Sequence, residues 1–176
     1  MKMNNNDILV RLRYALDIKD AEMVEIFGLG GIEITKEEVQ KLLLKSKNRS
    51  NNESEDDELL FDEYMKKLDN HTLESFLNGF IIYKRGPQDS NAENTEKQAL
   101  MIMNNKNVNN ILLKKMKIAL SLTGEDMLDI LKDTEVTISK SELSAVLRKE
   151  GHRNYKECGD RYARNFLKGL AIRYRK

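Results

Sequence analysis

An all-α protein of two related helical units, packed in one compact pseudo-two-fold body, is the fold class this sequence predicts. Three observations predict it. The 176 residues contain a single proline, so long stretches escape the residue that removes an amide donor and clashes with the preceding helical turn. Apolar residues recur at three- and four-residue spacing, the period of a helix with one buried face. The chain also matches itself without a gap at a shift of 104 residues, Asn5–Lys45 lying over Asn109–Lys149.

That self-match keeps register across loops, which chance likeness between helices would not do. Identical pairs include Asn5/Asn109, Asn6/Asn110, Ala15/Ala119, Met23/Met127, Ile26/Ile130 and Leu43/Leu147. The match resumes at a shift of 90, where Phe76-Leu77-Asn78-Gly79 lies over Phe166-Leu167-Lys168-Gly169. The first unit therefore holds 14 extra residues, and the acidic, Asn/Ser-rich stretch after Lys45 is the place expected for them. Residues 1–86 are assigned to the first unit, with the insertion at about 46–58, residues 87–108 to a linker, and residues 109–176 to a second unit that ends in a basic helix.

In the first unit Ile8, Leu9, Leu12, Ala15 and Leu16 make one apolar stripe. A short helix follows Asp20, with Met23, Val24, Ile26 and Phe27 inward and Gly28 as its stop. Gly30-Gly31 breaks the chain, and Ile32-Glu33-Ile34 reads as a short extended piece that pairs across the pseudo-two-fold with Val136–Ile138. Thr35-Lys36-Glu37-Glu38 has the form of a capping box, repeated as Ser139-Lys140-Ser141-Glu142. Such a cap contributes about 1 kcal/mol, so both copies fix the same helix start. Gly79 and Gly169 fall inside helices, where glycine costs roughly 1 kcal/mol relative to alanine. A close helix crossing is expected at each. One thin stripe per helix is too little for a unit to stand alone, so the two are expected to bury their apolar faces together.

The stretches Asn5-Asn6-Asp7-Ile8-Leu9, Arg13-Tyr14, Phe76-Leu77-Asn78-Gly79 with Lys84-Arg85-Gly86, Asn109-Asn110-Ile111, Glu157-Cys158-Gly159-Asp160 and Phe166–Leu170 resemble the YehS-like family of uncharacterised bacterial proteins. In that family a domain of unknown function occurs twice per chain. The likeness covers nearly the whole sequence. The acidic insertion and the Asn-rich junction before Asn109 are longer than the family pattern, and both fall between helices. The resemblance implies the two-unit helical fold and a bacterial cytoplasmic setting, and it brings no activity with it.

A net charge of +1 gives the whole molecule no strong field for nucleic acid or a membrane surface. The average conceals a split. Residues 46–63 carry two cations against seven carboxylates, whereas residues 148–176 carry ten cations against Glu150, Glu157 and Asp160. No apolar run approaches the roughly 20 residues that span a bilayer, and Met1–Asn6 lacks the apolar core of a signal peptide. Cytoplasm is the expected compartment, with no membrane partner.

No converging set of catalytic groups is legible. His71 and His152 occupy non-equivalent repeat positions and lie in no metal-ligand spacing, so neither a metal nor a cofactor is expected. Gly28-Leu29-Gly30-Gly31 follows a helix rather than a strand and reads as a turn. Cys158, the only cysteine, has two readings. As a reactive thiol it sits at a helix N-terminus, whose dipole favours thiolate, with His152 upstream as a base. As a small buried hydrophobe it simply precedes Asp160, the expected N-cap; this reading is favoured.

The basic end is the one asymmetric feature with physical content. Arg161, Arg164 and Lys168 share a face of a helix over Asp160–Tyr174, with Arg175 further along. Their first-unit counterparts are His71, Glu74, Asn78 and Arg85, so the repeated framework does not impose the stripe. These four cations are the candidate contacts for an anion or nucleic acid, with Tyr155, Tyr162 and Tyr174 available for stacking. A solvated helix face is the plainer account of the same residues. The sequence thus points to a non-enzymatic binding or regulatory module, its partner a protein or a nucleic acid. Nucleic-acid binding through the basic C-terminal helix is the alternative function.

Overall fold

Matched caps start matched helices. In the computed structural model, which describes residues 4–44, 66–86, 107–148 and 152–174, the first unit carries α1 (Asn5–Leu16), α2 (Asp20–Leu29), α3 (Lys36–Leu43) and α4 (Asn70–Arg85). The second carries α5 (Val108–Ala119), α6 (Gly124–Lys132), α7 (Lys140–Leu147) and α8 (Asp160–Tyr174). The acidic insertion, residues 87–106 of the linker, and Arg175 lie outside the described residues, and α5 begins at the last residue assigned to the linker.

Both expected capping boxes form. The Thr35 hydroxyl accepts the Glu38 amide at 3.1 Å and the Glu38 carboxylate accepts the Thr35 amide at 3.0 Å. Ser139 and Glu142 repeat this at 3.1 and 2.9 Å. Asn4 with Asp7 and Thr123 with Asp126 add two boxes that the sequence reading passed over. Accepting backbone amides holds the Glu38 and Asp126 carboxyls below their ordinary range.

Two local expectations are corrected. Helix α2 runs past Gly28 to Leu29 and stops at Gly30, because Gly31 (φ +92°) takes the left-handed turn. The extended pieces do not pair with each other. The Ile32 amide turns back to the Phe27 carbonyl (2.9 Å) and the Val136 amide to the Leu131 carbonyl (3.0 Å), closing each preceding helix. No strand forms among the described residues.

The glycines mark crossings, as expected. A Cβ on Gly79 would overlap the Ile26 carbonyl and the Gly30 amide, and one on Gly169 would overlap Ile130. Ile26 and Ile130 are repeat mates, so α2 crosses α4 as α6 crosses α8. Phe27 meets Phe76 there, with ring centroids 4.8 Å apart and tilted by 53°.

Paired asparagines set each unit's framework. Asn6 donates to the carbonyls of Leu42 and Lys66, both at 2.8 Å, and accepts the Leu68 amide at 3.0 Å. Asn110 donates to Val146 and Lys156 at 2.9 and 2.8 Å and accepts the Cys158 amide at 2.8 Å. Asn5 reaches Leu68 and Asn70, and Asn109 reaches Cys158 and Asp160, by the same bonds. Every partner pair matches at a shift of 104 or 90. A buried polar side chain must be satisfied, and here one amide fastens the first helix of a unit to the end of its third and to the approach to its fourth. Chain length between those two points is irrelevant to the bonds, which is why the first unit tolerates its extra residues. Asp160 is the first residue of α8 rather than its cap, and its carboxylate accepts from Asn109.

The units join reciprocally. Helix α1 packs on α8, α5 packs on α4, and the buried apolar residues of both units form one cluster. The shared core expected from the thin stripes is present.

Candidate functional site

Two seams join the units, and equivalent positions in them carry different charges. In the seam between α4 and α5, the Lys115 ammonium lies 3.6 Å from the Glu74 carboxylate and donates to the Asn78 side-chain oxygen at 2.6 Å. The Lys115 and Glu74 side chains are 4% and 1% exposed. Burial lowers the Lys115 pKa from its ordinary value, and the neighbouring Glu74 charge opposes that shift. Arg85 reinforces this seam by donating to the Ile118 carbonyl and the Ser121 hydroxyl at 3.2 and 3.1 Å. The seam is shut.

In the seam between α1 and α8, the repeat mates of Lys115, Glu74 and Asn78 are Arg11, Arg164 and Lys168. A cation–carboxylate–amide set has become three cations. They line an open cleft of about 840 Å³ with Asp7, Val10, Tyr14, Leu43, Asn165, Leu167 and Ala171. Arg11 and Lys168 are exposed and Arg164 is half-buried. Val10, Leu43, Leu167 and Ala171 supply an apolar lining, and Tyr14, 58% exposed, stands at the wall. Asp7 is the one carboxylate in the lining, and it accepts the Asn4 amide of the α1 capping box at 3.1 Å. Cations gathered against apolar walls concentrate field in the cleft and favour an anion there.

The basic stripe read from the sequence divides between two cavities. Arg164 and Lys168 face the inter-unit cleft, whereas Arg161 lines a neighbouring cavity of about 480 Å³ inside the second unit. That cavity also holds Glu135, Glu142, Glu157, Lys156 and Tyr162, so Arg161 sits among carboxylates. Burial pushes the Tyr162 phenol up from its ordinary pKa. Tyr155 is half-buried outside both linings, and Tyr174 is exposed at the end of α8.

Cys158 is buried at 2% exposure, and desolvation pushes its thiol up to about 12. Nearby Asp160 and Glu157 push the same way. The helix dipole would act in the opposite direction, and burial wins. Its first-unit counterpart is Leu68, also buried, so the thiol fills a leucine's place. His152 is exposed and accepts the Asn154 amide at 3.0 Å. Among the described residues no group of three His, Cys, Asp or Glu stands ready to hold a metal ion.

Arg11 and Tyr14, which the sequence reading left out of the site, complete the cleft. A signal for Arg11 was present. Arg11 aligns with Lys115, both cationic, while Glu74 aligns with Arg164, a charge reversal. Like charge on one side of a seam and reversed charge on the other implies that these facing positions carry opposite charges in one seam and like charges in its mate. Seeing this required knowing that α1 meets α8.

Fold and cleft together define the class: an all-α protein of two helical units sharing one core, with a basic cleft at one of their two seams. The chain belongs to the family described as protein of unknown function (DUF1456), which matches residues 5–86 and again residues 109–176. It is 37% identical over 171 residues to the uncharacterized protein YehS of Escherichia coli (strain K12), covering 97% of this chain and 96% of that one. No solved structure matches it.

Proposed function

We propose that the protein is a non-enzymatic binding module of the bacterial cytoplasm that takes phosphate-bearing anions in the cleft between α1 and α8. One observation carries the reading: the positions that shut one seam with a buried ion pair hold Arg11, Arg164 and Lys168 in the other. Three cations lining one cleft from two helices can give a polyanion several charge-assisted hydrogen bonds at once. No helix among the described residues is long and apolar enough to cross a membrane.

The test is titration calorimetry with tripolyphosphate, at low salt and near 0.2 M salt. Wild type is compared with Arg11→Glu/Arg164→Glu/Lys168→Glu. Binding that weakens roughly tenfold or more with added salt and disappears in the triple variant supports the reading. Binding that survives the three charge reversals places the anion elsewhere.

A single-stranded nucleic acid on the same cations is the second reading. What favours it is that Arg161 and Lys156 continue the positive charge into the neighbouring cavity. Against it, Glu135, Glu142 and Glu157 interrupt that continuation, so the cations converge on one cleft rather than forming a track.

A further inference from the structure

We infer that the ligand of the inter-unit cleft is a nucleoside phosphate, its phosphates held by Arg11, Arg164 and Lys168 and its base laid against Tyr14. This deepens the phosphate-binding reading and rests on it. An anion site for inorganic phosphate alone needs little room and no apolar wall. This cleft has about 840 Å³, within the roughly 300–1,000 Å³ of sites that enclose a small organic molecule. Its cations come from two helices of different units, Arg11 from α1 against Arg164 and Lys168 from α8, so they meet a phosphate chain from two sides. Besides Asp7, Asn165 and Tyr14, the remaining lining is apolar, with Val10 and Leu43 from the first unit and Leu167 and Ala171 from the second.

Tyr14 supplies the second element. A tyrosine ring 58% exposed beside a cation cluster offers a flat apolar face next to the phosphate-binding end. Stacking on such a face is tolerant of base identity, because every base has a π-face. In the shut seam its repeat mate is Ile118, and the cationic mates Arg164 and Lys168 are replaced by Glu74 and Asn78. The ring and two of the three cations are therefore lost together where the cleft is lost, Lys115 keeping the charge of Arg11.

The experiment compares adenosine triphosphate, tripolyphosphate and a mixed-sequence single-stranded 12-mer DNA by titration calorimetry against the full chain, in metal-free buffer. Wild type, Tyr14→Ala, Tyr14→Phe and Arg164→Glu are measured, with thermal midpoints confirming that each is folded. We expect adenosine triphosphate to bind roughly tenfold tighter than tripolyphosphate, the scale a single stacked base provides. Tyr14→Ala should erase that preference, Tyr14→Phe should keep it, and Arg164→Glu should weaken both ligands. Equal affinities in wild type overturn the nucleoside assignment while leaving the phosphate reading intact. A 12-mer binding far tighter than adenosine triphosphate, and insensitive to Tyr14→Ala, overturns it in favour of a strand. Silence from all three ligands overturns both.

Discussion

The two seams are built from one plan and end in opposite states. In each, the first helix of one unit lies on the last helix of the other, and the same repeat positions face across the gap. Between α4 and α5 those positions hold Lys115, Glu74 and Asn78, and all three are buried. Between α1 and α8 they hold Arg11, Arg164 and Lys168, and a cleft remains. Charge complementarity allows desolvation, and like charge forbids it, since an unpaired buried ion costs several kcal/mol. What differs between the seams is therefore the side chains at these facing positions, with Tyr14 in place of Ile118 among their neighbours, rather than the helices that carry them.

The comparison breaks most sharply at Lys115. Lys115→Met removes the cation from beside a fully buried carboxylate and should cost about 3–5 kcal/mol in urea unfolding. The double variant Lys115→Met/Glu74→Leu should recover most of that loss, because an apolar pair of similar volume needs no desolvation. A single-variant cost below about 1 kcal/mol would show that the shut seam does not depend on the pair.

Matched scaffolds predict matched losses. Asn6→Ala and Asn110→Ala each remove three hydrogen bonds, two to carbonyls and one from an amide. Each should cost about 2–3 kcal/mol, at roughly 1 kcal/mol net per bond. Losses that differ by more than about 1 kcal/mol would mean that the units are not equivalent supports, whatever their bonds.

Arg164→Glu gives the open seam the carboxylate of the shut one. Stability should change little, as expected of a partly exposed position, while tripolyphosphate affinity falls at least about tenfold. A variant that keeps its affinity would leave the comparison without a functional meaning.

The smallest effect concerns Cys158 against Leu68. Iodoacetamide near neutral pH should leave the folded protein unmodified and label it in urea, because burial holds the thiol near 12 rather than its ordinary 9.0. The raised value also fixes the sign of the pH dependence. The contribution of the neutral thiol to stability is complete below about 9 and declines as pH rises toward about 12. Cys158→Ala should remove that alkaline loss. Rapid labelling of the folded chain would separate the two positions and reopen the reactive-thiol reading.

Much of the site's scaffold was legible and its focus was not. The capping boxes at Thr35 and Ser139, the crossings at Gly79 and Gly169, and the asymmetry of Arg164 and Lys168 each rest on neighbours within a helical turn or on one repeat comparison. The grouping of Arg161 with Arg164 and Lys168 did not survive intact. Spacing of three and four residues places side chains on one broad face, and which cavity each reaches depends on the helices packed against that face. The pairing of Ile32–Ile34 with Val136–Ile138 failed for a related reason: a short segment satisfies its amides locally when the preceding helix offers open carbonyls.

By itself the sequence determined the helices, their starts, their order and the two-unit plan. These follow from periodicity, caps and a self-match that act over short separations along the chain. Tertiary structure alone decided that α1 lies on α8 and α5 on α4. Only that exchange brings Arg11 to Arg164 and Lys168 across 153 and 157 residues of chain, and Lys115 to Glu74. Charge at a single position carries no meaning until the facing residue is known, because the cost or gain of a buried ion is a property of the pair.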